Sequence, residues 1–302
     1  MIRVNGLQKE FGNKVAVQNL SFNLDRGQTL GLIGQNGAGK TTTFRMMLDF
    51  IKPTHGTILF DEKPISPAIK QRIGFLPEER GLYQKETIEN QILYFASLHG
   101  MSRYEARIKL KEWMDRLNVV GLPTDKVQSL SKGNAQKIQL IATTIFSPDL
   151  LILDEPFTGL DPVNAGVMMA EIERIKRDGT AIIFSSHNMS GVEKISDEIL
   201  MLGSGKTLLQ GGINEIREGY GRTELYIESN LTESYLKSIE SVLSIERHGQ
   251  GLQLKLANED VGRFIFKKAV EKNGYVPVFS QQPPTLDEIF RLMVTQNKET
   301  KR

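Results

Sequence analysis

Gly34-Gln35-Asn36-Gly37-Ala38-Gly39-Lys40-Thr41 is the stretch on which the reading of this chain turns. It fits the pattern G-x-x-x-x-G-K-[ST], and its flanks suit that pattern. Before it, Thr29-Leu30-Gly31-Leu32-Ile33 reads as a short buried strand. After it, Thr42-Thr43-Phe44-Arg45-Met46-Met47-Leu48 reads as the opening turns of a helix. A glycine-rich turn before a lysine means little alone. Strand, glycine loop and helix in that order make a phosphate cradle.

The physics accounts for each residue type. A triphosphate needs many N–H donors at close range, so the loop backbone, through Gln35, Asn36 and Ala38 as well as the glycines, must wrap it without side chains in the way. Gly34, Gly37 and Gly39 permit that approach and the positive φ angles it demands. The helix that begins near Lys40 and carries Thr42 points its free N–H groups and the positive end of its dipole at the same anion. Lys40 adds a full charge toward the β and γ phosphates, and the Thr41 hydroxyl is placed to ligate Mg²⁺.

A chain of 302 residues makes one large or two ordinary domains. At 39 % hydrophobic and 25 % charged it carries enough apolar material for a core. A net charge of +2 gives no reason to expect a nucleic-acid partner. The chain has no cysteine, which excludes disulfides and thiolate metal sites and fits a reducing cytosol. No apolar run approaches the ~20 residues that cross a bilayer, and the N-terminus lacks a signal-peptide core. If the protein works at a membrane, another chain supplies the span.

Residues 1–30 read as β hairpins, with a strand starting at Ile2-Arg3-Val4 and a turn at Phe11–Lys14. Thr57–Phe60 and Ile73–Leu76 read as further strands. From Glu86 to about Val120 the period becomes helical, first with Ile88, Ile92, Phe95 and Leu98 on one face, then from Ser102 as N-cap with Ile108, Leu110, Trp113, Met114 and Leu117. Another helix opens at Leu130 and runs to about Phe146. Leu150–Asp154 is a continuous apolar strand ending in acid, and Ala181–Ser186 another, ending in hydroxyls before His187. Strands alternating with helices predict a mostly parallel α/β sheet with its site at the strand C-termini.

Glycines between Gly203 and Gly221 punctuate a hairpin and a linker. Beyond them Leu225–Ile227, Thr232–Ser241, Val242–Glu246, Leu252–Leu256, Asp260–Lys272 and Tyr275–Phe279 run β-α-β-β-α-β, the ferredoxin-like split order, and a last helix covers Leu286–Val294. Gly203-Ser204-Gly205-Lys206-Thr207 looks like the end of a second phosphate loop. However, Leu200-Met201 stand where its first glycine belongs, and the context is a hairpin rather than strand to helix.

Leu150–Glu155 supplies what a phosphate loop needs. A carboxylate at a strand end can hold Mg²⁺, which points to Asp154. Glu155 is then placed to orient and deprotonate a water for attack on the γ phosphate.

With these elements in order, the chain resembles the ATP-binding subunits of ATP-binding-cassette (ABC) transporters over residues 1 to about 215. Leu130-Ser131-Lys132-Gly133-Asn134-Ala135-Gln136-Lys137 is similar to the family signature L-S-G-G-Q followed by Q-[RK]. Gly159-Leu160-Asp161-Pro162 matches the D-loop, Ser186-His187 matches the switch histidine, and Phe11 stands where the family stacks an aromatic ring on adenine. The resemblance implies an α/β P-loop ATPase cassette (1–215) with an antiparallel β subdomain and a helical subdomain, followed by a small α+β ferredoxin-like domain (222–302). It implies hydrolysis of ATP to ADP and phosphate, with ATP and Mg²⁺ bound, by a homodimer whose phosphate loops each face the other chain's signature. Ser131 and Gly133 would then contact the γ phosphate held by the opposite Lys40. His187 would contact it from its own chain, and Asp161 would couple the two sites.

The family's Q-loop glutamine, a Mg²⁺ and water ligand, is replaced by Glu78 in Leu76-Pro77-Glu78-Glu79-Arg80-Gly81-Leu82-Tyr83. A carboxylate still accepts contacts but cannot donate as an amide does. In the signature, Lys132 adds a positive charge beside the partner's phosphates, and Asn134 replaces glutamine. These variants, with Thr285–Phe290 near the C-terminus, resemble the bacterial sodium and drug or antibiotic exporters. The expected setting is cytoplasmic and peripheral on the inner face of the cell membrane, with a separate permease contacting residues 80–120. The C-terminal domain is expected to regulate or to support the dimer. The alternative is a soluble cassette ATPase of translation or DNA repair. Translation types carry two cassettes and a charged linker, and DNA-repair types carry coiled-coil or zinc insertions; neither pattern is seen here.

Overall fold

The strands written as continuous apolar runs lie in the middle of a six-stranded sheet. The structure is a computed structural model and describes residues 1–79 and 81–299. Arg80 of the Glu78 segment, and the three residues with which the expected accessory domain ends, lie outside it. Contacts divide the chain into two compact units, Met1–Gln210 and Gly211–Arg302.

In the first unit β1 (Ile2–Phe11) and β2 (Lys14–Leu24) form the expected hairpin, and β3 (Thr29–Gly34) leads through the glycine loop into α1 (Lys40–Met47). Then come β4 (His55–Phe60), β5 (Lys63–Pro64), α2 (Pro67–Lys70) and β6 (Ile73–Leu76). Two helices follow, α3 (Ile88–Leu98) and α4 (Arg103–Arg116), and then α5 (Lys132–Thr144). The order continues with β7 (Leu150–Asp154), α6 (Pro162–Arg177), β8 (Ala181–Ser186), α7 (Met189–Ile195), β9 (Glu198–Gly203) and β10 (Lys206–Gly212).

β2-β1-β4-β5 make an antiparallel sheet, and β10-β9-β3-β8-β7-β6 a larger one in which β9, β3, β8, β7 and β6 are parallel. Every residue of β3, β7 and β8 is buried, as a central strand with both faces covered requires. Phe44, Met46 and Met47 of α1 join Leu7 and Leu20 from one sheet and Leu30, Ile152 and Ile183 from the other in one core.

Short polar side chains start the helices. Thr87 accepts from Asn90 N–H, Ser102 from Glu105 N–H, Ser131 from Asn134 N–H, and Asp161 from the N–H groups of Val163 and Asn164. The packed stripe of α3 is Ile88, Ile92 and Ala96, whereas Leu98 is exposed, as is Ile108 on α4. Small Ala96 lets α3 approach both α4 and α5, which turns the contact face away from Leu98. Trp113 is buried, as expected of a core residue, with the Arg116 guanidinium 4.0 Å from its ring centre.

The second unit contains α8 (Ile213–Gly219), a short helix where the sequence suggested only a linker, then β11 (Glu224–Glu228), α9 (Glu233–Lys237), β12 (Val242–His248), β13 (Gly251–Leu256), α10 (Glu259–Asn273), β14 (Val278–Gln282) and α11 (Leu286–Glu299). Its sheet is antiparallel in the order β12-β13-β11-β14, the ferredoxin-like arrangement. Leu225, Ile227, Leu254 and Leu256 face Leu236, Val261 and Ile265 of α9 and α10 in its core. The last strand lies three residues later than its apolar signal, because Val278–Gln282 are the residues that pair with β11.

Candidate functional site

The parallel register decides which side chains meet. Ile33 pairs with Ser186, and Asp154 with Ser185, so β3, β7 and β8 end together and deliver the glycine loop, the two acids and His187 to one edge. This is where open α/β sheets place their ligands.

The loop from Gly34 to Thr41 is braced from behind. Gly205 N–H, in the turn between β9 and β10, donates to Ala38 O at 3.0 Å, and Gln18 N–H of β2 donates to Gly205 O at 2.7 Å. The Gly203–Thr207 segment is therefore a hairpin turn that supports the phosphate loop. Gly39, with φ of +111°, precedes Lys40 and α1 without a side-chain cap, which leaves the first-turn N–H groups without a capping side chain. Gln35, Asn36 and Gly37 are exposed along its rim, Ala38 is buried, and Thr42 is half-buried on the first turn.

Lys40 and both acids are buried. The Lys40 ammonium donates to Gly34 O at 2.7 Å and Gln35 O at 3.5 Å, and lies 3.9 Å from Glu155 Oε1. The Thr41 hydroxyl donates to Asp154 Oδ2 at 3.1 Å. His187 Nδ1 is 2.9 Å from Glu155 Oε2, with most of the ring in solvent. Lys40, Thr41, Asp154, Glu155 and His187 thus form one cluster.

A carboxylate and a hydroxyl side by side are hard oxygen donors. As such they fit Mg²⁺, a hard cation that prefers oxygen ligands, which they would hold from the protein side. Glu78 stands apart from this pair. It follows β6, whose Leu76 pairs with Leu153, so its loop leaves the sheet beside Asp154. Its side chain is exposed, and among the described residues it has no hydrogen-bond or ion-pair partner. Gln139 of α5 ties down that loop by donating to Pro77 O at 3.3 Å and Glu79 O at 3.5 Å.

Phe11 ends β1 with its ring 51 % exposed and the Lys9 ammonium 5.2 Å from the ring centre. An exposed aromatic face at a sheet end is available for stacking.

Ser131 and Gly133 open α5, and none of the Lys40 cluster's hydrogen bonds or ion pairs involves them. Ser131 Oγ accepts from Asn134 N–H at 3.3 Å. The Asn134 side chain turns to the backbone of Val120, accepting from its N–H at 3.3 Å and donating to its carbonyl at 3.2 Å. Lys132 lies against the D-loop of its own chain: a β-carbon on Gly159 would be 3.0 Å from its Nζ, and one on Gly133 would be 3.0 Å from Asn164 Nδ2. The backbone and side-chain amides of Asn164 hold the exposed Asp161 carboxyl below its usual range. Lys137, buried beneath, donates to Asn118 O at 3.2 Å, and burial lowers its pKa against the opposing pull of Asp161.

Three features were not singled out from sequence. Ser185 touches both acids. Gln136 of α5 donates to Pro156 O at 3.2 Å, just past Glu155. Arg116 of α4 pairs at 2.9 Å with buried Glu171 of α6, whose carboxyl is raised by burial although Arg116 opposes it. Each contact joins residues far apart in the chain, so no local spacing signals it.

Residues 17–158 match the family model described as ABC transporter, and residues 211–294 match the model described as ATP-binding protein DrrA1-3-like, C-terminal domain. The uncharacterized ABC transporter ATP-binding protein YhaQ of Bacillus subtilis (strain 168) is 40 % identical over 290 residues, covering 96 % of this chain and 97 % of that protein. Linearmycin resistance ATP-binding protein LnrL, from the same organism, is 26 % identical over 96 % of this chain and 97 % of its own length. A solved ATP-binding subunit of an ABC transporter superposes with a TM-score of 0.68 at 26 % identity, over 73 % of this chain and 93 % of its own.

Proposed function

Because this chain belongs to the ATP-binding proteins of ABC transporters, an ATPase family, we propose that it hydrolyses ATP as a homodimer to drive a separate permease in the export of a drug- or antibiotic-type compound. The observation that carries the reading is the cluster of Lys40, Thr41, Asp154, Glu155 and His187 at one sheet edge. Lys40 and the loop N–H groups bind the phosphates. Thr41 and Asp154 would hold Mg²⁺, with the Glu78 carboxylate a further oxygen donor for it, and the ion would supply charge against the phosphates. Glu155 orients and takes a proton from the attacking water, and His187 sets the position of Glu155 and of the γ phosphate. Phe11 stacks on adenine. Ser131 and Gly133, at the start of a 13-residue helix and outside their own chain's cluster, complete the partner's site.

The permease contact is assigned to the segment after Glu78. There a groove of about 720 Å³ is lined by Tyr83, Lys85, Gln91 and Tyr94, with both tyrosines exposed. Exposed aromatic rings beside a concavity suit an incoming helix. No helix among the described residues is long and apolar enough to cross a membrane; the proposed place, cytoplasmic and peripheral, follows from the proposed work on a separate permease. A drug- or antibiotic-type cargo rather than sodium is preferred on the name of the linearmycin resistance relative.

Glu155→Gln tests this. It should keep ATP binding, lower turnover by about 10²–10⁴-fold as loss of a general base does, and accumulate an ATP-bound dimer in gel filtration. Normal turnover in that variant would remove Glu155 as the base.

A further inference from the structure

Ser185 belongs to none of the motifs, yet it lies between the two acids. It is fully buried next to the end of β8, paired with Asp154 in the sheet register. Its hydroxyl donates to Asp154 Oδ1 at 2.6 Å and accepts from Glu155 N–H at 2.9 Å. A serine hydroxyl has one proton and two acceptor lone pairs. Here the proton is committed to Asp154 and one lone pair to Glu155.

Both contacts have consequences. Asp154 has one oxygen held by Ser185 and the other by the Thr41 hydroxyl, so its carboxylate plane is fixed from β8 and α1 together. Glu155 has φ of +50°, uncommon for a residue other than glycine. Such a backbone persists only where its surroundings hold it. The bond from Glu155 N–H to Ser185 is that hold, helped by Thr158 N–H donating to Glu155 O at 3.2 Å.

We propose that Ser185 is a positioning residue for ATP hydrolysis: a single hydroxyl fixes both the carboxylate that would hold Mg²⁺ and the backbone turn that aims Glu155. This rests on the roles of Asp154 and Glu155 proposed above.

The full-length chain is prepared as Ser185→Ala, Ser185→Cys and Ser185→Thr, beside Glu155→Gln. Hydrogen–deuterium exchange of the peptide 153–157 in nucleotide-free protein reads the Glu155 amide. It should speed up in the alanine and cysteine variants and stay slow with threonine. The Mg²⁺ concentration for half-maximal hydrolysis at saturating ATP should rise by about 10–100-fold with alanine or cysteine, as loss of a partner that orients a metal ligand does. The KM for ATP should stay near its starting value, and threonine should restore the Mg²⁺ requirement. If Ser185→Ala keeps the original Mg²⁺ requirement, or loses activity only in step with its Tm, the proposal is overturned. If Glu155→Gln is inactive while Ser185→Ala turns over normally, the proposal alone fails; if Glu155→Gln turns over, the reading beneath it fails. Where alanine does not fold, the cysteine and threonine pair decides, since a thiol fills the space but donates weakly.

Discussion

Replacing Gly39 by alanine should damage the phosphate loop in two ways that a second variant separates. Gly39 has φ of +111°, and a β-carbon there would lie 2.7 Å from the Ala16 carbonyl oxygen and 3.2 Å from Val17 Cγ2. Gly37 has φ of +80° with nothing within 4 Å of its β-carbon position. Both substitutions force an L-residue into a left-handed backbone, at a cost of about 1–2 kcal/mol. Only Gly39→Ala adds overpacking, worth about 1–3 kcal/mol. The obstructing oxygen is backbone of β2 and cannot swing aside, so α1 or β2 has to move. Gly39→Ala should therefore exceed Gly37→Ala by about 1–3 kcal/mol, a large share of a stability of roughly 5–15 kcal/mol. Trp113 is the chain's single tryptophan and is buried in the unit that holds the loop. Its fluorescence in a urea titration reports that unit, and the difference appears as a lower midpoint at constant slope. ATP affinity should fall further in Gly39→Ala as well. Equal midpoints for the two variants would refute the claim that β2 braces the loop.

Asp149 tests the charge network at the opposite end of the sheet. Burial works to raise its carboxyl, but hydrogen bonds from Arg26 at 2.7 Å and Arg72 at 2.5 Å outweigh burial and hold it below the usual range. A folded value below the unfolded one stabilises at pH above about 4, and that contribution is lost as pH falls through the folded value. Asp149→Asn should flatten the acid limb of tryptophan-monitored stability below about pH 4; an unchanged limb would show that the network carries no proton linkage. Gln136→Leu leaves the Pro156 carbonyl without its buried donor, which should cost about 1–3 kcal/mol. It should also lower kcat more than it changes the KM for ATP, and unaltered stability and kcat together would discard this contact as a brace.

Much of this site was legible because its parts are local. A glycine loop between strand and helix, an apolar run ending at Asp154, and a run ending before His187 each announce themselves over a few residues. What was not legible depends on register. Ser185 and Asp154 are 31 residues apart and meet only because β7 and β8 pair Leu150 with Ala181. Shift that pairing by one and Ser185 would face away from the acids. Lys132 illustrates a different limit. Its charge is evident from sequence, but its rest against Gly159 follows from how α5 packs on the D-loop. In the second unit, Val278–Gln282 reads as polar after Phe279, and the strand is defined by the backbone of β11 rather than by its own periodicity.

The helix behind the signature offers a route from the proposed phosphate contact to distant loops. Lys132, Gln136, Gln139 and Thr143 recur at intervals of four, three and four, which puts them on one face of α5. Along that face Lys132 lies on Gly159, Gln136 donates to Pro156 O, Gln139 to the carbonyls of Pro77 and Glu79, and the Thr143 hydroxyl donates back to Gln139 O at 2.8 Å with Phe75 O 3.5 Å away. Every acceptor is a backbone carbonyl, so the contacts grip the path of the chain rather than a side chain. The helix therefore touches the D-loop and hydrogen-bonds the turn after Glu155 and the start of the Glu78 loop. In the proposed dimer, a phosphate drawing on the N-terminus of α5 would move all three together. The segment that leads to the groove at Tyr83 and Tyr94 would then shift with the base. In the proposed assembly, hydrolysis and permease contact would be tied through one helix, with no need for a chain of side-chain changes between them.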